Sequence, residues 1–245
     1  MKTGFARMVQ GAGDLVFPPL CVGCREVPPE GGEYRHLCPA CVQRLDFVRS
    51  PYCTTCGHPF YGEVEGERLC PHCDGLVPAY REGRTAVLLK GPARALIHEL
   101  KYHRGLHVLE DMARILANSA HVLELVRGAV LVPVPLHPRK QRERGYNQSR
   151  LIAETLARVA GGGTTVQDLL VRAVDTVSQT RRDRKARQEN LKNAFALAPR
   201  CNIKAGQHYV LVDDVFTTGS TLNACAHALR RAGAPNLDVV TLGHG

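Results

Sequence analysis

Eight of the chain's ten cysteines lie between Cys21 and Cys73 in four C-x-x-C pairs, and no other feature limits its folding choices so strongly. Cys21 and Cys24 precede Cys38 and Cys41, and Cys53 and Cys56 precede Cys70 and Cys73, with 13 residues between pairs each time. Each C-x-x-C turn brings two sulfurs to one ion while its amides donate to them, and two turns complete a tetrahedral site. This clustering favours metal over a disulfide scaffold and predicts two structural Zn2+ sites with no open position. A stretch this short, with few large apolar side chains, cannot fold on burial alone, so the metal must supply the missing stability. Spacing leaves two arrangements open, sequential pairing within each unit, which we expect, and a cross-braced one. With four cysteines filling each site, His36, His58 and His72 read as surface residues. Cys225 falls on the apolar side of an expected helix and reads as a buried, inert thiol.

The remainder is long enough for a packed core, with 44% hydrophobic residues in 245. The N-terminus has neither a signal-peptide core nor the roughly 20 apolar residues of a membrane span, so a cytoplasmic protein without membrane insertion is expected. Charge is uneven. Residues 1–79 carry 7 basic and 9 acidic side chains, residues 80–245 carry 25 and 14, and the later part therefore suits polyanions.

From Tyr80 onward, apolar strands alternate with amphipathic helices, the pattern of a mostly parallel sheet covered by helices. Strands are expected at Thr85–Leu89, Val130–Val134, Val166–Val171, His208–Val212 and Leu237–Leu242. Helices are expected at Ala93–Lys101, Leu106–Leu125, Gln148–Ala160 and Ser220–Ala232. The expected divisions are an N-terminal segment (1–20), a double zinc ribbon (21–78) and the α/β unit (79–245).

Within the α/β unit, Tyr209-Val210-Leu211-Val212 runs into Asp213 and Asp214, and Thr217-Thr218-Gly219-Ser220-Thr221 then opens a helix. Ligands of open α/β sheets bind at the carboxyl ends of strands. Gly219 permits a tight turn whose amides point inward, the hydroxyls of Thr217, Thr218, Ser220 and Thr221 add donors, and a phosphate there meets the helix dipole. The two carboxylates can accept from the vicinal diol of a ribose and help place a hard cation such as Mg2+. Together these residues predict a site for a phosphorylated ribose beside a magnesium ion.

The string VLVDDVFTTGST, Val210 to Thr221, resembles the 5-phosphoribosyl-1-pyrophosphate (PRPP) signature of type I phosphoribosyltransferases. LVPVPLHPRKQRERGYNQSRLIAETLA, SQTRRDRKARQENLKNAFAL and LKYHRG match, in order and spacing, further hallmarks of the ComF family. That family is a competence-associated group of phosphoribosyltransferase-like proteins that commonly begin with a double zinc ribbon. The resemblance spans nearly the whole chain. It implies a type I phosphoribosyltransferase fold behind a small double zinc ribbon, PRPP and Mg2+ as ligands, and Asp213 and Asp214 as catalytic carboxylates. It also implies a role in DNA uptake, with single-stranded DNA and other competence proteins as further partners.

Pro133, Pro135 and Pro138 are expected to keep the chain extended and deliver Arg139, Lys140, Arg142 and Arg144 to the sheet edge. In related transferases the loop after this strand meets pyrophosphate, and Arg144 is the candidate for that contact, because guanidinium pairs bidentately with phosphoryl oxygens. Asn147 reads equally as a helix cap or a ligand contact, and Lys101 as a phosphate contact or a surface residue. Residues 178–190 are basic and aperiodic and resemble the hood that closes over PRPP in this superfamily, with Gln179, Arg181 and Arg187 as candidate contacts. His103 and His107 are four apart, but Gly105 lies between them and no carboxylate completes a metal site at helical spacing.

Three functions compete: phosphoribosyl transfer to an unidentified acceptor, single-stranded DNA handling, and PRPP sensing without turnover. Only 5% of residues are aromatic and Trp is absent, which leaves Tyr52, Phe60 and Tyr61 as the few candidates for stacking on bases.

Overall fold

The computed structural model describes residues 19–62, 70–172 and 194–245. Five parallel strands form the central sheet in the order β1-β7-β6-β2-β3. They are β1 (Gly83–Leu88), β2 (Val130–Pro133), β3 (Thr165–Val166), β6 (His208–Phe216) and β7 (Asn236–His244). A separate antiparallel pair joins β4 (Leu170–Arg172) to β5 (Phe195–Leu197). The helices are α1 (Pro39–Val42), α2 (Gly91–Tyr102), α3 (Leu109–Ala117), α4 (Ala120–Val126), α5 (Pro138–Arg144), α6 (Gln148–Ala160) and α7 (Ser220–Arg231).

Strand residues alternate between two apolar layers, as a sheet buried on both faces requires. Leu131, Val210, Val212, Val240 and Leu242 pack in one core with α2, α3, α4 and α6. Val130, Val132, Tyr209, Leu211, Leu237 and Val239 pack in the other with α7 and the β4–β5 pair.

The two cysteine units join opposite layers. Cys21, Cys38 and Cys41 belong to the first core, and Cys53, Cys56, Cys70 and Cys73 to the second. Between them the chain straddles β1. The Val48 amide donates to Ala86 O (2.9 Å) and the Leu88 amide to Asp46 O (2.8 Å), while the Gly83 amide donates to Thr54 O (2.7 Å). The sheet edge at β1 is thus covered along much of its length, which removes a template for unwanted pairing. Close approach explains Gly57: at φ +76° it lies so near β1 that a Cβ would come within 2.5 Å of the Thr85 amide nitrogen.

Several expectations are revised. The Leu106–Leu125 helix is divided into a 3-10 turn, α3 and α4, with a break at Asn118 and Ser119, where the Ser119 hydroxyl donates to Ile115 O (2.8 Å). The Val166–Val171 strand splits at residues 167–169, so that β3 stays in the main sheet and β4 leaves it. The proline-rich stretch is extended only to His137, because Pro138 occupies the first helical position of α5, where its missing amide costs nothing. His36 is buried rather than exposed, packing on His107 with ring centroids 4.4 Å apart, and His58 is half-buried. Among the described residues no helix is long and apolar enough to cross a membrane.

At the amino end of β7, the buried Asp238 receives His208 Nε2 (2.7 Å), Arg81 Nη2 (2.7 Å) and the Glu82 amide (3.0 Å). Burial alone would raise this carboxyl, but His208 and Arg81 hold it below the usual carboxylate range. A depressed folded pKa stabilises the fold above the unfolded value of about 4, and this is lost as pH falls through the folded value. Asp238→Asn should therefore cost about 2 kcal/mol at pH 7. Urea unfolding at several pH values should show the gap from wild type narrowing below about pH 4.

Candidate functional site at the switch point of the sheet

From β2 the chain crosses by α6 to β3 on one side, whereas from β6 it crosses by α7 to β7 on the other. The connections diverge between β2 and β6, and the carboxyl ends of these neighbours frame the crevice where such sheets bind ligands.

β6 does not stop at Val212. It stays paired with β7 through Asp213↔Thr241 to Phe216↔His244, so both aspartates sit within the strand's last turn of pleat rather than in a loop. Asp213 Oδ1 accepts from Ser149 Oγ at 2.8 Å, at the start of α6. Asp214 is 5% exposed and forms an ion pair with Lys101 of α2. Burial, reinforced by the neighbouring Asp214 charge, pushes the Asp213 carboxyl up to about 8. The pair is thus short of positive charge, with one ammonium supplied from the LKY segment, and an added cation would relieve it.

After Phe216, Thr217 and Thr218 are exposed, and Gly219 turns the chain into α7 in a left-handed conformation, φ +68°. A Cβ at Gly219 would come within 2.6 Å of Phe216 Cζ and 3.0 Å of Leu76 Cδ2, so glycine is required by backbone conformation and by space alike. Thr218 Oγ1 and Ser220 Oγ lie 2.9 Å apart at the helix start, and Thr221 follows in the first turn. The back of this loop rests on the second cysteine unit. Asn223 of α7 accepts from the Ala79 amide (2.7 Å) and donates to Val77 O (2.9 Å).

On the β2 side, Asn147 caps α6 by accepting from the Ser149 amide (3.0 Å) and donates to Val134 O (2.9 Å), a structural role for that side chain. Arg144, at the end of α5, donates to Gln148 Oε1 (2.8 Å) and lies over the Tyr102 ring at 5.4 Å. Arg139, Lys140 and Arg142 are exposed on the same short helix, not on an extended edge. A cavity of about 410 Å³ opens between this helix and the β4–β5 pair, lined in part by Pro133, Pro135, Asn147, Arg150 and Arg172. Gln179, Arg181 and Arg187 lie outside the described residues; the strands that bracket that segment are β4 and β5.

The cysteine units pair sequentially. The Sγ atoms of Cys21, Cys24, Cys38 and Cys41 lie within 4.8 Å of one another, as do those of Cys53, Cys56, Cys70 and Cys73, so the cross-braced arrangement does not occur. Backbone amides donate to sulfur, as at Cys38 N to Cys21 Sγ (3.3 Å) and His58 N to Cys56 Sγ (3.4 Å). Contact with Cys56 and Cys73 drives the Cys53 thiol well below its usual range, while Cys53 and Cys73 drive Cys56 far above it. A divalent cation removes this conflict, since each sulfur can then be a thiolate. His103 and His107 do not converge; His103 packs on His98 and His107 on His36. Cys225 is fully buried on α7, and burial raises its thiol.

Lys101 and Ser149 are the residues least marked by sequence. LKYHRG leaves Lys101 undecided, and Ser149 stands in an ordinary first turn of a helix. Their partnership with the aspartates appears only when α2 and α6 converge on the end of β6.

Fold and cysteine clusters together define a phosphoribosyltransferase-type domain joined to a double zinc ribbon. Residues 12–74 match the double zinc ribbon domain and residues 146–243 the phosphoribosyl transferase domain. The chain is 30% identical over 231 residues to Competence protein F of Haemophilus influenzae, covering 89% of this chain and 94% of that protein. It is 31% identical over 229 residues to DNA utilization protein YhgH of Escherichia coli K12, covering 92% and 96%. With Competence protein ComFC of Bacillus subtilis it shares 23% over 205 residues, covering 80% and 79%. The chain belongs to the ComF family.

Proposed function

We propose that this chain binds PRPP with Mg2+ at Asp213–Thr221 and transfers its phosphoribosyl group to an acceptor, in the service of competence or DNA utilisation. The observation that carries the reading is the switch-point crevice, where two adjacent carboxylates meet a glycine-turned, hydroxyl-rich helix start. In the proposed complex the 5-phosphate lies against the amides and hydroxyls from Thr217 to Thr221. Asp213 and Asp214 accept from the ribose hydroxyls, and Lys101 limits the repulsion between the two carboxylates.

The oxygen donors at this crevice fit Mg2+, which when bound would offset pyrophosphate charge. In the transfer, the bond from ribose C1 to the pyrophosphate oxygen breaks and pyrophosphate leaves with that electron pair. The acceptor's lone pair forms the new bond to C1, and carboxylates near the ring stabilise the oxocarbenium-like ribose between. Arg144, which donates to Gln148 beside Ser149, is the proposed pyrophosphate contact. Gln179, Arg181 and Arg187 are proposed to cover the bound sugar and exclude water.

Incubation with PRPP, Mg2+ and separate nucleobase, amine or DNA acceptors, read as released pyrophosphate, tests the reading. Calorimetric binding that requires Mg2+, with release stimulated by one acceptor class, is expected. Absence of PRPP binding would refute the site. Binding without release under any acceptor would move the function to PRPP sensing.

Single-stranded DNA handling is favoured by one separate observation, the exposed Arg139, Lys140 and Arg142 on α5, together with the names carried by relatives. A steep loss of DNA affinity with added salt would support it.

A further inference from the structure

His58, His72 and His244 meet at a place that neither four-cysteine cluster uses. His58 follows the first C-x-x-C turn of the second unit, His72 lies inside its second C-x-x-C, and His244 ends β7. One ring nitrogen of each lies within 4.8 Å of the others, and the ring centroids are 4.5 Å (His58 to His72), 4.9 Å (His58 to His244) and 4.9 Å (His72 to His244) apart. Rings could meet this closely through stacking alone. A second observation separates the cases: His244 is 2% exposed, and its Nε2 is buried without a hydrogen-bond partner among the described residues. Buried polar atoms are almost always satisfied, and this orphan belongs to an imidazole whose ring lies beside two others, so a bound ion would supply the missing partner.

We propose that His58, His72 and His244 form a third metal site, for a borderline divalent cation of the Zn2+ class. Three imidazoles with one position left over is an established Zn2+ donor set, and imidazole suits Zn2+, Ni2+ or Cu2+ rather than Mg2+ or Ca2+. Bonds of about 2.0–2.1 Å place tetrahedral nitrogens roughly 3.4 Å apart, so small side-chain rotations close the observed cluster. His72 is exposed and His58 half-buried, which gives the ion a path from solvent, while His244 anchors it to the sheet. The site joins three separate stretches of chain. Phe216 stacks on His244 with centroids 5.3 Å apart, and the same Phe216 ring fills the space behind Gly219. The ion would therefore pin the second cysteine unit to the end of β7, directly behind the loop that opens α7. The inference stands on these histidines alone and does not depend on what that loop binds.

Untagged protein, equilibrated with micromolar Zn2+ and then desalted, tests it by metal analysis. Wild type should carry three ions per chain, and His72→Ala and His244→Gln two each. Co2+ substitution should add, for the third equivalent, visible d–d absorption without a thiolate charge-transfer band, lost in both variants. Two ions in wild type would overturn the proposal, as would a third ion retained in His72→Ala. His72 is exposed, so its variant decides even where His244→Gln does not fold.

Discussion

Asp213→Asn and Asp214→Asn should each weaken Mg2+-dependent PRPP binding by about tenfold to a hundredfold in calorimetry. Each carboxylate is proposed to accept from a ribose hydroxyl and to contribute charge toward the cation. Hydrogen bonds to charged groups are each worth about 1.5–3 kcal/mol, and every 1.4 kcal/mol is a factor of ten. The two variants should differ in stability. Asparagine at 213 can still accept from Ser149, so that variant should melt near wild type. Asparagine at 214 leaves the mostly buried Lys101 ammonium without its counter-charge, so that variant should lose about 1–3 kcal/mol as well as the ligand. Asp238→Asn is the control, since it lies at the opposite end of the sheet and should lower stability while leaving PRPP affinity unchanged. Unchanged affinity in folded Asp213→Asn and Asp214→Asn protein would remove the site from this crevice.

Much of this architecture is legible in the sequence, for physical reasons. The runs around Val130, Val210 and Val239 are apolar on both faces, which only a sheet covered on both sides permits. Cysteine spacing dictates two four-sulfur clusters because a C-x-x-C turn has one geometry. What escapes a reading of the sequence depends on convergence between distant segments. Pro138 reads as keeping the chain extended, yet proline equally starts a helix at its first position, and the choice falls to His137 and Gly145, which cap α5 at either end. His36, His58 and His72, beside the cysteines, read as surface residues of a small module. His72 is exposed as expected, but His36 is buried against His107 and Asp111 and His58 is half-buried where the second unit meets the sheet, contacts between segments distant in sequence.

Joining opposite layers makes the two cysteine units unequal, and cysteine replacement should expose the difference. Cys56 is buried in the second core, and its unit carries Leu76 and Val77 and leads directly into Ala79, residues that support Gly219 and Asn223. Cys24 is exposed, in a unit whose core contacts run to α2 and α3 on the other layer. Either serine replacement should empty its cluster of metal, and structural Zn2+ in small domains supplies about 10–16 kcal/mol of folding free energy. Neither unit can retain its shape on burial alone. Losing the first should free Asp111, whose carboxylate receives the Arg35 and His36 amides at 2.9 Å, and should loosen one layer while leaving the α7 loop backed. Losing the second removes the wall behind Gly219. Cys24→Ser should therefore lower the melting temperature yet keep Mg2+-dependent PRPP binding within about threefold, a cost under 1 kcal/mol. Cys56→Ser should lower melting further and reduce binding at least about tenfold, or 1.4 kcal/mol. Equal effects on binding would mean that the loop is organised without the second unit. The reverse order would place the ligand on the other face of the sheet.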